Sequence, residues 1–170
     1  REAFRGGNTH ANRFYAGMIL DHVKSADRSS SYPDVQINCE FPIGRFFEAG
    51  TVEFDELMEI IGRRHKAVLM RIRLWGVKLN DWKWGCPYLS RDKCRGVLGG
   101  VFDNGRILEA EYLETTITDI DFHIIIDEYS FENFEAYDVA YARYGQLPRV
   151  LKNTIISYYR AKTELKGVEG

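Results

Sequence analysis

What this chain lacks narrows it first. Its three cysteines, Cys39, Cys86 and Cys94, form no C-x-x-C pair. An odd count without a framework fits a reducing compartment and idle or buried thiols. The same spacing argues against zinc. His10, His22, His65 and His123 show no ligand spacing either and read as structural residues. No apolar run approaches the ~18 to 20 residues that span a bilayer. The opening REAFRGGNTHANR is not a signal peptide, so a soluble, cytoplasmic protein is expected. Internal repeats and low-complexity tracts are missing. A dominant charge is missing too: 23 Lys and Arg stand against 25 Asp and Glu, a formal net charge of −2. Any nucleic-acid contact must therefore come from local basic clusters.

What is present is a folded globular chain. It has 170 residues, of which 45% are hydrophobic, with ten Tyr and ten Phe. That is one domain, or a piece of a larger one, long enough to bury a real core. The charged, glycine-bearing start and the TELKGVEG end suggest an excerpt from a longer protein.

Periodicity divides the chain into elements. Residues 18–27, MILDHVKSAD, alternate well enough for a strand leading into Asp27. DVQINC reads as a short helix, closed by a turn at FPIG, 41–44. TVEFDELMEIIGRRH, from Thr51, has Phe54, Leu57, Met58 and Ile61 at helical spacing, acids in the first turn and bases in the last. Residues 67–79 alternate and are β-rich, and residues 80–100 read as an irregular excursion or ribbon. RILEAEYLETTIT is a second strand, followed by a helix with Thr118 as cap and Asp121 three residues on. FEAYDVAYARYG is a further strand. Pro148 opens a long amphipathic helix with Leu147, Val150, Leu151, Thr154, Ile155 and Tyr158 on one face. The class is α+β, with a mixed, largely antiparallel sheet and packed helices.

The stretch with most chemistry in it is SADRSSSYPD, residues 25–34. Ser, Asp and Pro are the vocabulary of a surface turn. A second reading starts from Asp27 at the end of a buried strand. Its carboxylate then holds Mg²⁺ beside a tight turn whose N–H groups hold phosphate oxygens. Tyr32, five residues on, lies flat under a sugar ring and leaves no room for a 2′-hydroxyl.

Asp27-Arg28-Ser29-Ser30-Ser31-Tyr32-Pro33 resembles motif A of the family-B DNA polymerases, D-x-x-S-L-Y-P, with Ser31 where leucine is usual. Phe4-Arg5-Gly6-Gly7 resembles the Y-x-G-G motif of that family, which lies between the exonuclease and polymerase domains and touches the template strand. The two occur in the family's order at short separation. The chain is similar to phage-type members, including the protein-primed ones. Weaker likeness runs through Phe41-Pro42-x-Gly44 and ETTITDIDFHIIIDEY to the basic helix at the end.

The resemblance implies roles residue by residue. Asp27 is expected to be one of two aspartates that bind the catalytic Mg²⁺ pair, and Arg28 to offer a metal only its backbone carbonyl. Ser30 and the Ser31 backbone are expected at the triphosphate of the incoming deoxynucleotide, with Tyr32 as the sugar-selecting ring. Phe4, Arg5, Gly6 and Gly7 are expected to contact DNA, although Phe4 in place of tyrosine removes a hydroxyl. The same resemblance divides the chain into a partial palm with both motifs (1–50), an insertion or palm-associated region (51–147) and the start of the fingers helix (148–170). Primer–template DNA and deoxynucleotides are the expected partners. In protein-primed members the corresponding insertion contacts the terminal protein, which makes that a candidate partner as well.

Two pieces of the family pattern are absent. Motif B, K-x-x-x-N-S-x-Y-G, does not occur. Two-metal transfer also needs a second carboxylate, since metals ~3.5 to 4 Å apart share bridging ligands. The family's D-T-D motif C supplies it. Asp119-Ile120-Asp121 is the look-alike here. Its acids suit a helix N-terminus, and it precedes the place of motif B, so it is set aside. The fragment alone is therefore expected to be inactive.

Basic residues fall in three groups. Arg149, Lys152, Arg160, Lys162 and Lys166 lie on the last helix, either as a solvated face or as the fingers helix that holds the triphosphate, with Arg160 and Lys162 the best placed. Arg71 and Arg73 share a strand face. Lys83, Arg91, Lys93 and Arg95 interleave with Trp82 and Trp84 in the excursion, a composition suited to single-strand or template contact and equally to a loop anchored by aromatics. The alternative to a polymerase fragment is a non-catalytic nucleic-acid- or protein-binding module on a palm-like scaffold.

Overall fold

The computed structural model describes residues 2–3, 7, 11–27 and 31–166. These form a mixed α+β fold with four α-helices and an open seven-stranded sheet. In chain order the elements are α1 (Ser31–Asn38), β1 (Phe41–Val52), α2 (Phe54–Met58), β2 (Lys66–Leu79), β3 (Cys94–Leu98), β4 (Val101–Asp103), β5 (Arg106–Thr118), α3 (Asp119–Glu128), β6 (Tyr129–Ser130), β7 (Asn133–Gly145) and α4 (Arg149–Lys166). The sheet order is β1-β7-β2-β5-β3, with β4 paired to β5 and β6 to β2. The β2–β5, β2–β6, β3–β5 and β4–β5 pairings are all antiparallel. The chain divides into two compact units, one of residues 1–19 and 46–142 and one of residues 20–45 and 143–170, so one boundary follows residue 19 and the other two fall within β1 and β7.

The first unit is built on the central pair β2 and β5, whose alternation is what the sequence pattern calls for. Met70, Ile72 and Leu74 on β2, and Leu113 and Ile117 on β5, are buried on one face. Leu57, Ile60, Phe122 and Ile125 join the same core from the helical segments. The segment after β1 departs from a simple α-helix. α2 ends at Met58 and continues as a π-helical turn over Glu59–Arg63, closed by the Arg64 N–H donating to the Glu59 carbonyl at 3.0 Å. The wider turn lets the consecutive Ile60 and Ile61 both be buried. α3 opens as expected. The Thr118 hydroxyl accepts from the Asp121 N–H at 3.3 Å, and Asp121 Oδ2 accepts from the Thr118 N–H at 2.8 Å, a reciprocal capping box. Asp119, also buried, accepts from the Val68 N–H at 2.8 Å. The Tyr88 hydroxyl donates to Asp121. Both acids of the D-I-D look-alike are thus occupied at a helix N-terminus.

The excursion is tied down at several points. The Asp81 carboxylate accepts from the N–H groups of Lys83 and Trp84 at 2.8 and 2.9 Å, a side-chain turn. Leu89 is buried, and its N–H donates to the Tyr129 hydroxyl, which in turn donates to the Ile107 carbonyl at 2.8 Å. Burial raises the Tyr129 pKa above that of an ordinary phenol.

The opposite sheet face carries Arg71 and Arg73, and there both meet acids. Arg73 lies 3.4 Å from Glu114 and 3.0 Å from Glu135, with its guanidinium 4.3 Å from the Tyr137 ring centre. Arg71 lies 3.2 Å from Glu2 and 3.4 Å from Asp138, and Glu2 also pairs with Arg95 at 2.6 Å. This face is therefore a ladder of ion pairs. Arg95 above all, then Thr116 and Arg71, hold the Glu2 carboxyl below the usual carboxylate range. The Tyr137 hydroxyl and then Arg73 do the same for Glu114. A carboxyl whose pKa is depressed in the folded state stabilises the fold above its unfolded value, near 4.3. That contribution is lost as pH falls through the folded value. Glu114→Gln should therefore lower the thermal midpoint at pH 7, and the gap from the unmodified protein should close below about pH 4. Melting curves at pH 7 and pH 3 check this, and a gap that persists at pH 3 would assign Glu114 a packing role instead.

Two expectations are corrected. Residues 18–27 form no strand: Met18, Ile19, Leu20 and Val23 are exposed, Ile19 at 94%, and His22 has φ 58°. A strand exists only where a neighbour takes its N–H and C=O groups, and among the described residues none pairs with this segment. Phe41-Pro42-Ile43-Gly44 is not a turn but the start of β1. β1 lies at the sheet edge, where a proline without an N–H is tolerated. Gly44, at φ 80°, takes a backbone conformation open to glycine.

Candidate functional site

The second unit brings α1 and α4 together. α1 begins at Ser31, three residues earlier than the sequence pattern suggests, and takes in Tyr32 and Pro33. Proline is tolerated in a first helical turn because N–H groups there lack intrahelical partners. Asp34 adds a carboxylate at the same end and accepts from the Asn38 side chain at 2.6 Å. α4 starts with the Lys152 N–H donating to the Pro148 carbonyl at 3.1 Å, so Pro148 sits where its missing N–H costs nothing.

Between the start of α1 and the middle of α4 lies a cavity of about 500 Å³, lined by Ser31, Tyr32, Pro33, Ile155, Tyr158, Tyr159 and Lys162. Tyr32 is 81% exposed, its ring presented to solvent instead of packed into a core. Lys162 adds a cation and the tyrosines add flat apolar surface. Such a site suits a planar or sugar-bearing anion: rings for stacking, an ammonium for phosphate charge, and a helix start whose N–H groups favour negative groups.

The sequence-derived candidates separate in the structure. Ser31, Tyr32 and Lys162 line one cavity. Arg160, two residues from Lys162 and so on another side of α4, lines a different groove with Asn153, Ile156, Ser157, Ala161 and Glu164. Asp27 is exposed, four residues before α1. Gly7 is exposed, with open space where a Cβ would stand. Phe4, Arg5, Gly6, Arg28 and Ser30 lie outside the described residues.

Among the described residues no group of three His, Cys, Asp or Glu side chains is placed to hold a metal ion. Asp27 alone does not make up a Mg²⁺ site, since the ion is held by one or two carboxylates together with substrate phosphates and waters. Among the described residues no helix is long and apolar enough to cross a membrane.

Tyr158 and Tyr159 were not singled out from the sequence as ligand contacts. A signal was there: Tyr158 and Lys162 are four apart, and side chains at i and i+4 share a helix face. What could not be read locally is that this face meets α1.

No family model matches the chain, and no curated protein matches it. Among solved structures, the chain is similar to phi29 DNA polymerase complexed with single-stranded DNA, with a TM-score of 0.52 at 13% identity over 78% of this chain. The same polymerase complexed with primer–template DNA, in a post-translocation binary complex, gives a TM-score of 0.49 at 14% identity over the same share. The chain spans 20% of the length of that polymerase. The likeness is one of fold: an α+β arrangement shared with a segment of a phage DNA polymerase.

Proposed function

We propose that this chain is part of a family-B, phage-type DNA polymerase, comprising a portion of the palm, an insertion and the start of the fingers. The observation that carries this reading is the cavity shared by Ser31, Tyr32 and Lys162, formed by the motif-A-like segment and the basic terminal helix. Two segments far apart in sequence, both assigned to the incoming nucleotide by the one family resemblance, line one site. The fold likeness to a segment of phi29 DNA polymerase supports the same reading.

In the whole protein the reaction would join the primer 3′-hydroxyl to the α-phosphate of a deoxynucleotide and release pyrophosphate, and Mg²⁺ would supply stabilisation of the developing charge. Asp27 would hold it together with a second carboxylate. Lys162 and the start of α1 would hold the triphosphate, and the Tyr32 ring would pack under the sugar. Primer–template DNA is the partner, and a terminal protein joins it if priming is by protein. The chain by itself should not extend a primer.

The test is sugar selection in the full-length gene product. Tyr32→Val removes the ring beneath the sugar, and ribonucleotide incorporation relative to deoxynucleotide should rise by about 10-fold or more, as steric pockets lose selectivity when a wall is cut away. Unchanged discrimination would remove Tyr32 from the nucleotide site, and this reading of the cavity with it.

A further inference from the structure

A second cluster lies in the first unit. The short helical turn Arg13–Tyr15 meets the excursion at residues 82–84. The Asn12 side-chain amide donates to the Lys83 carbonyl at 2.7 Å, and Asn104, in the turn between β4 and β5, donates to the Ala11 carbonyl at 2.8 Å, so the segment leading into the helical turn is held at two points. The Tyr15 and Trp84 rings stand 5.7 Å apart between centres, tilted by 51°. The Arg13 guanidinium lies 5.3 Å from the Phe14 ring centre and 5.5 Å from that of Trp82. The Lys83 ammonium lies 5.1 Å from the Trp84 ring centre.

Three properties set this cluster apart from a loop anchored by buried aromatics. Its rings are outside: Trp84 is 71% exposed, and Phe14 and Trp82 are exposed as well. Its cations are available: among the described residues neither Arg13 nor Lys83 is held in an ion pair with a carboxylate, whereas Arg71, Arg73 and Arg95 are. The exposed Asp81 carboxylate accepts from the Trp84 and Lys83 N–H groups, and these bonds, with a smaller contribution from the Lys83 charge, hold its carboxyl below the usual carboxylate range. The backbone beneath Trp84 is thereby held, which lowers the ordering cost at the time of binding.

We propose that Arg13, Phe14, Tyr15, Trp82, Lys83 and Trp84 form a binding platform for single-stranded nucleic acid. Unpaired bases stack on the exposed rings, and every base has a π-face to offer, so the platform reads no particular sequence. The two cations meet the phosphates between stacked bases, which supplies charge complementarity in a chain whose net charge is −2. Duplex DNA keeps its bases stacked on one another and offers this surface only phosphates. The platform therefore prefers single strands. This site is independent of the nucleotide cavity and stands whether or not Asp27 takes part in catalysis.

The experiment uses the 170-residue chain, without Mg²⁺ or nucleotide, titrated into a fluorescent fifteen-nucleotide oligo(dT) and followed by anisotropy. The chain should bind the single strand and prefer it to a duplex of the same length. Trp84→Ala should weaken binding by about 5- to 160-fold, the range for loss of one stacked base, and Trp84→Phe should restore most of it. The double substitution R13Q with K83Q should lower the slope of log affinity against log salt by about 1.4, at ~0.7 per phosphate contact for single strands. Far-UV circular dichroism and the melting midpoint should stay unchanged in all three variants, which separates a contact role from a folding one. Asp27→Asn should leave binding unaltered, so failure of the polymerase reading and failure of the platform are told apart. Equal affinity for single strand and duplex, or unchanged binding in Trp84→Ala, overturns the proposal. So does the absence of any oligonucleotide binding, which would leave the exposed rings as a protein-docking surface.

Discussion

Replacing Asp27 by asparagine in the full-length gene product is expected to reduce Mg²⁺-dependent primer extension by about 10³-fold or more, with primer–template binding retained. The substitution is nearly isosteric, so it leaves shape alone and removes one negative charge. In two-metal phosphoryl transfer the ion contributes several kcal/mol of charge stabilisation, and each 1.36 kcal/mol lost from the barrier is a tenfold in rate. Asp27 is exposed and lies four residues before α1, so the loss cannot be put down to a disturbed core. Binding of primer–template, carried mainly by phosphate contacts, should not follow the change. Unchanged extension would return SADRSSSYPD to the status of a surface turn. Equal loss of binding and extension would mean that Asp27 shapes the DNA site and not the chemistry.

The largest expected effect on stability is at Phe122. Its side chain is fully buried at the centre of the first unit's core. It lies 6.0 Å from the Phe54 ring and 5.5 Å from the Phe134 ring between centres, while Phe54 and Phe134 meet edge to face at 90°. Phe122→Ala removes the shared partner of both rings and leaves a cavity that the sheet cannot close. A loss of about 3 to 5 kcal/mol is expected, to which the two aromatic contacts add their own share. That is a large fraction of the 5–15 kcal/mol typical of a domain. Denaturant unfolding should show a lower midpoint at unchanged slope. Phe122→Leu, which keeps most of the apolar volume, should recover the greater part. A midpoint shift well under that of an ordinary core truncation would mean that α3 packs more loosely than the structure shows.

How legible each segment was depended on how local its stabilising interactions are. β5 appears over the residues expected, 106–118, because its alternation is written into every second side chain. α3 likewise opens at its own capping box, with Thr118 and Asp121 only three residues apart. Residues 18–27 alternate just as well and form no strand, because a strand needs a neighbour's backbone groups and periodicity does not reveal whether one is there. The π-helical turn at Glu59–Arg63 follows from the need to bury Ile60 and Ile61 together, a demand set by the sheet beneath them.

The candidate sites divide the same way. Tyr32 and Lys162 could be picked out singly from motif and charge, and Arg160 was picked with equal reason. The geometry of α4 put Lys162 beside Tyr32 and Arg160 on a different groove. Arg71 and Arg73 look like available cations in the sequence, yet each finds carboxylates contributed by strands and a segment far away along the chain. The sequence by itself determined the α+β class, the central strands, the capped helix and the motif-A-like stretch, all of which rest on side-chain periodicity or residues a few positions apart. Only the tertiary structure decided which charges are neutralised, which rings share a cavity, and that Arg13 meets Trp82 and Tyr15 meets Trp84 across some seventy residues. Those outcomes depend on distances in space between residues remote in sequence, and short-range pattern carries no term for them.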